Sequence, residues 1–184
     1  MRSESTDPAQ VHVFQFESPR QATEVGRMNA VRQGAAWIYR VLITLFAAGV
    51  VVEFFLVGLG IFRAMPADDA SVTHDTFDDR FTVHAALGGI LAGGSLLLLI
   101  VILVAWTGPL SIGATFALAV LTFVQMILGG AGEDAPVAGA FHAINALLIL
   151  GLSGFLTVRA WRGNLLIPPS GSAPSVSGVA GSPP

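Results

Sequence analysis

Phe141-His142-Ala143-Ile144-Asn145-Ala146-Leu147-Leu148-Ile149 is the stretch that decides the fold, because Val83-His84-Ala85-Ala86-Leu87-Gly88 opens an earlier run in the same way. In each, a histidine and an alanine follow an acidic loop and lead into a long apolar run. Eleven residues past each histidine comes a serine, Ser95 in one run and Ser153 in the other. That spacing is close to three helical turns, so each serine shares a face with its histidine. Both runs have the roughly 20 apolar residues that cross a hydrocarbon core. Two membrane helices, each with an inward histidine at the same depth, suit ligation of a metal or haem.

Composition agrees with the membrane reading. Of 184 residues, 53% are hydrophobic and 11% charged, against about 25% charged in soluble domains. The net charge of -3 comes without a basic patch, which argues against nucleic acid as a partner. All nine cations are arginine, and there is no cysteine. Disulfides, iron–sulfur clusters, thiolate metal sites and covalent c-type haem attachment are thereby excluded.

Outward from the two histidines, four spans emerge at about 37–62, 81–106, 110–130 and 137–161. Before them, residues 1–35 form a polar, mostly flexible tail in which Glu24 to Gln33 is compatible with a short interfacial helix. About 36 largely polar residues precede the first apolar run, which is not the pattern of a signal peptide. Trp37, Tyr39 and Arg40 read as interface anchors, as do Trp106 and Trp161. The transmembrane domain covers 36–162, and the Pro/Ser/Gly-rich stretch 163–184 is expected to be disordered. Arg2, Arg20, Arg27, Arg32 and Arg40 precede the first span and Arg159 and Arg162 follow the last, whereas the opposite loops set Arg63 and Arg80 against seven carboxylates. The positive-inside rule then places both termini in the cytoplasm. The expected fold is all-α, a four-helix up-down-up-down transmembrane bundle in a bacterial cytoplasmic membrane.

The two hairpins look like copies. From Glu53 and from Gln125, leucine recurs at +3 and glycine at +5 and +7, and the first copy has a connection 14 residues longer. Spans one and three cross in the same direction, so the repeat is parallel and its axis lies along the membrane normal. Such an axis puts His84 and His142 at equal depth near the outer face, with Glu53 and Gln125 facing the same central space.

Each polar residue has a chemical and a structural reading. Haem iron accepts two axial imidazoles, and Gly88 and Ala146, one turn after the histidines, leave room for a flat macrocycle. Equally, small residues let membrane helices pack closely, and a histidine there can serve as a helix-to-helix hydrogen bond. Glu53 is the ionisable residue deep in a span, where a carboxylate costs about 2.5–3.5 kcal/mol on insertion scales. It is either a proton or substrate handle, or a neutral side chain bonded to Gln125 or Asn145 across the bundle. Asn145 orients His142 or joins helices. His74 with Asp75, Asp78 and Asp79 has no recognisable metal-ligand spacing and reads as a solvated acidic loop. His12 lies in the tail and is assigned nothing. No P-loop, nucleophile elbow or zinc-protease motif occurs, so no stand-alone enzyme is indicated.

The chain from about Arg40 to Arg162 resembles a family of small four-span bacterial membrane proteins of unknown function. That resemblance rests on Glu53-Phe54-Phe55-Leu56-Val57-Gly58-Leu59-Gly60 and on the two histidine segments, and implies topology alone. More distantly, the chain looks like one half of haem A synthase, whose four-helix halves carry haem-facing histidines on their second and fourth helices. His84 and His142 match those positions, and Gln125 with Leu128-Gly129-Gly130 looks like that family's helix end. Where the family has a catalytic glutamate one turn before a second-helix histidine, this chain has Phe81 and Arg80. The resemblance therefore implies haem binding without the synthase reaction. The leading expectation is a b-type haem protein with His84 and His142 as axial ligands, passing electrons or serving a membrane oxidoreductase. The alternative is a cofactor-free membrane protein, either a structural partner subunit or a small transporter using Glu53 and Gln125.

Overall fold

A computed structural model describes residues 19–64, 74–132 and 135–163. It contains helices α1 (Pro19–Ala64), α2 (His74–Ala105), α3 (Pro109–Ala131) and α4 (Pro136–Trp161). All four are long and apolar enough to cross a membrane. The starts of α3 and α4 are set by Pro109 and Pro136, whose missing N–H costs nothing in a first turn. Between α2 and α3 the chain reverses in three residues, with Trp106 in the left-handed region at φ 50°, the conformation that ends many helices.

Two boundaries differ from the sequence expectation. Helix α1 begins at Pro19 and runs unbroken for 46 residues into the first span. Residues 20–36 contain no proline and many good helix formers, so nothing stops propagation upstream of the apolar run. Helix α2 likewise starts at His74, inside the stretch expected to be a loop. The rest of that loop, the tail through Ser18 with His12, and residues 164–184 lie outside the described residues, as do the side chains of His74, Asp75 and Asp78.

Helix α1 lies beside α2 and α4, and α3 also lies beside α2 and α4, so α1 faces α3, and α2 faces α4, across the bundle. At one end Gly60 lets α1 approach Phe81 of α2: a Cβ there would stand 2.8 Å from the ring. Gly132 meets Gly139 backbone to backbone at the same end, with a Cβ on Gly132 only 3.1 Å from the Gly139 Cα. At the other end Arg32 of α1 donates to the Trp106 carbonyl that closes α2 (3.1 Å), and Arg159 of α4 donates to Ser111 Oγ of α3 (2.9 Å).

The interior is a narrow seam at three- and four-residue spacing. Tyr39, Ile43, Phe46 and Val50 supply it from α1, Leu98 and Ile102 from α2, Leu118 from α3, and Ile149 and Leu156 from α4. Spacing of that kind keeps one face of each helix inward. The outward faces are apolar too, with Phe55, Ile90, Ile127 and Leu147 all exposed, the pattern of helices solvated by lipid. Ser95, Thr122 and Ser153 sit in the seam and donate to carbonyls three or four residues back. In this way small hydroxyls enter an apolar core without needing a cross-helix partner. Tyr39 corrects an expectation: it is fully buried and its hydroxyl meets Thr115 Oγ1 at 2.7 Å across the α1–α3 diagonal. Thr115 spends its own proton on the Ser111 carbonyl, so Tyr39 is the donor. It is a bolt through the bundle, while Trp37, Trp106 and Trp161 remain exposed as interface residues would be.

Candidate functional site: a polar cluster drawn from four helices

At the end of the bundle away from the Trp106 turn, every helix contributes a polar side chain to one cluster. Helix α1 brings Glu53, whose Oε2 lies against Nδ1 of His84 on α2. Helix α3 brings Gln125, whose backbone carbonyl is 3.0 Å from Nδ1 of His142 on α4. The two imidazoles then meet across the α2–α4 diagonal, ring centroids 6.2 Å apart and planes at 73°. Phe81 closes one side of His84, with ring centroids 6.3 Å apart.

The hydrogen-bond logic fixes the character of each ring. A carbonyl oxygen only accepts, so His142 Nδ1 carries the proton and its Nε2 keeps the lone pair. The Glu53 carboxylate contacts Nδ1 of His84 as an ion-pair partner and leaves Nε2 as the nitrogen it does not touch. Metal-bound histidines are held in this way by an outer carboxylate or carbonyl.

Glycine makes the second contact possible. A Cβ on Gly129 would sit 3.3 Å from both Cε1 and Nδ1 of His142, so the bare backbone one turn past Gln125 opens its carbonyl to the ring. Gly88 lies opposite, where a Cβ would make only an ordinary contact with Glu53 Oε1 at 3.8 Å. Ala146 is half-buried one turn beyond His142.

Asn145 completes the second hairpin. Its Nδ2 donates to Gln125 Oε1 at 2.7 Å and to the Leu121 carbonyl at 2.9 Å. The pairing differs from the one expected across the bundle. Glu53 does not bond Gln125 or Asn145; it engages His84 within its own hairpin, and Asn145 engages Gln125 within the other. Hairpin neighbours lie face to face over their whole length, whereas the diagonal partners meet only where long side chains reach inward. Sequence reasoning also missed Gly129, although its place one turn after Gln125 was the available signal. Glu53 Oε1 has no hydrogen-bond partner among the described residues, although its side chain is only 12% exposed. Half of a buried carboxylate is therefore left for another group to satisfy.

No family model, characterised protein or solved structure matches the chain.

Proposed function

We propose that this membrane protein binds haem b through Nε2 of His84 and Nε2 of His142 and passes single electrons on behalf of a membrane oxidoreductase. The observation that carries this reading is the pair of imidazoles meeting across the bundle, each with Nδ1 already engaged. Donor number favours haem over a bare ion. Among the described residues no three His, Asp or Glu side chains gather as a metal site, and a bare zinc ion takes three or four protein ligands. Haem iron, already held by its macrocycle, takes one or two axial ligands from the protein, so two histidines are enough. The matching histidine positions of haem A synthase point the same way, and the small residues Gly88 and Ala146 limit steric conflict beside a flat group.

When bound, the haem supplies one-electron redox chemistry. The chain supplies the rest. Glu53 and the Gln125 carbonyl hold a proton at Nδ1 of each imidazole and fix ring orientation, Asn145 fixes Gln125, and the apolar seam below excludes water. In this reading the helices run up-down-up-down as two parallel-repeat hairpins, with both termini on the cytoplasmic side of a bacterial membrane. Support comes from the matched Glu53–His84 and Gln125–His142 contacts and from Arg32, Arg40 and Arg159 at the opposite end.

The test is an optical spectrum of the detergent-purified protein, oxidised and then dithionite-reduced. A Soret band with sharp reduced α and β bands, absent from His84→Ala and from His142→Ala, is expected. A protein that stays colourless after haem is added overturns the reading. One observation favours a second reading: the unpartnered Glu53 Oε1 beside His84 suits a proton or cation path in a small cofactor-free transporter. There, Glu53→Gln would stop proton-coupled uptake into proteoliposomes; unchanged uptake would remove it.

A further inference from the structure

The two hairpins put different residues at matching places beside their histidines. Gly60 stands seven residues past Glu53 and Gly132 seven past Gln125, while Phe81 precedes His84 by three and Gly139 precedes His142 by three. In both hairpins the glycine after the polar residue meets the residue before the histidine. The bare backbone of Gly60 seats the Phe81 ring, and a Cβ there would stand 2.8 Å from its Cε1 and 2.9 Å from its Cζ. Gly132 meets the backbone of another glycine, with a Cβ on Gly132 3.1 Å from the Gly139 Cα.

That difference reaches the imidazoles. Residues three apart on a helix share a face, so Phe81 lies beside His84. The two rings stand edge to face at 83° with centroids 6.3 Å apart, within the range in which aromatic rings attract. His84 is thereby held on two sides, by Glu53 at Nδ1 and by Phe81. His142 has the Gln125 carbonyl at Nδ1, at 3.0 Å, and residue 139 supplies it no ring. A neutral carbonyl also holds a ring less strongly than a carboxylate does. The surface against His142 is the backbone of Gly129, which has no side chain to lock the ring.

We infer that Phe81, seated on Gly60, is a positioning residue that anchors the His84 imidazole, and that His142 is the imidazole that gives way to an incoming ligand. The anchoring stands on the contacts alone; the exchange rests on the haem reading. The incoming ligand is small and uncharged, of the carbon monoxide class, because apolar helices enclose the cluster and charge is costly inside a membrane. It trades places with a neutral imidazole at unchanged oxidation state. Two fixed imidazoles suit electron transfer alone, whereas one fixed and one yielding make a site that also takes a ligand.

The full-length protein, free of haem and carrying isotope-labelled histidine, is studied in mild detergent, and the ring order parameters of His84 and His142 are read by NMR relaxation. His84 is expected to be the more ordered ring. Phe81→Leu and Gly60→Ala are each expected to lower its order parameter to that of His142 and to leave His142 unchanged. A general loss of packing would loosen both rings together. Equal order in the two rings, or a His84 ring indifferent to both substitutions, overturns the anchoring. The haem-loaded protein is then reduced under carbon monoxide, which leaves the iron diamagnetic. The Soret band is expected to shift, and the His142 ring signals to return to their haem-free positions while those of His84 do not. The opposite pattern, or a reduced haem that ignores carbon monoxide, overturns the exchange. A protein that takes up no haem overturns the haem reading, and the exchange with it, while the order parameters still decide the role of Phe81.

Discussion

The Glu53–His84 contact makes a prediction about the sign of a double substitution. The two side chains are 12% and 24% exposed and touch through one oxygen and one nitrogen, so the pair is desolvated while Glu53 Oε1 goes unsatisfied. Breaking a buried pair from one side costs about 3–5 kcal/mol, and at membrane depth a lone carboxylate costs about 2.5–3.5 kcal/mol. His84→Leu strands the Glu53 carboxylate and is expected to cost about 3 kcal/mol. Glu53→Leu leaves a histidine that is comfortable when neutral and costs less. Replacing both by leucine removes both polar groups and the orphaned oxygen, and isosteric apolar replacement of buried pairs is neutral to stabilising by about 1–4 kcal/mol. The double variant is therefore expected at or above wild-type stability, with a coupling of more than about 3 kcal/mol between the sites. Reversible unfolding in mixed dodecylmaltoside–SDS micelles measures all four proteins. Additive losses, with the double variant less stable than either single one, would refute the reasoning. A stabler double variant would also mean that the natural pair is kept at the expense of stability.

Other outcomes follow from the remaining contacts. Tyr39→Phe removes a donor from Thr115, which keeps its own bond to Ser111, and is expected to cost about 0.6 kcal/mol, the membrane average. Thr115→Val strands the Tyr39 hydroxyl in the core and should cost more, about 1–3 kcal/mol; the same micelle titration ranks the two, and the reverse order would be wrong for this geometry. Asn145→Leu loses two donated bonds and should cost about 1–2 kcal/mol by that titration. Gly129→Ala presses on a ring that can pivot, so stability should fall by less than about 1 kcal/mol. The downfield Nδ1 proton of His142 should nonetheless disappear from the NMR spectrum of labelled protein.

The four spans were legible because lipid demands long apolar runs, and prolines at 109 and 136 mark where two of them begin. The polar cluster was legible as membership: Glu53, His84, Gln125, His142 and Asn145 stand out against apolar neighbours, and the structure brings all five to one end. Its wiring was not. Which of them touch depends on the rotation of each helix about its own axis, and periodicity does not encode that angle. The same limit hid Tyr39, whose type suits an interface and whose place in the seam buries it. The continuous start of α1 was hidden for another reason. Its residues favour helix through intrinsic propensity, with no apolar stripe to announce it.

The length of α1 has a mechanical consequence. At 46 residues it is a rod of about 69 Å, more than twice the thickness of the hydrocarbon core. The Tyr39 bolt divides the part inside the bundle unevenly, seven residues from Arg32 and fourteen from Glu53. A stiff rod pinned there is a lever with arms of about 10 and 21 Å. A tilt that draws Arg32 inward by some distance swings Glu53 the other way about twice as far, and a hydrogen-bonded contact does not survive a shift of that size unchanged.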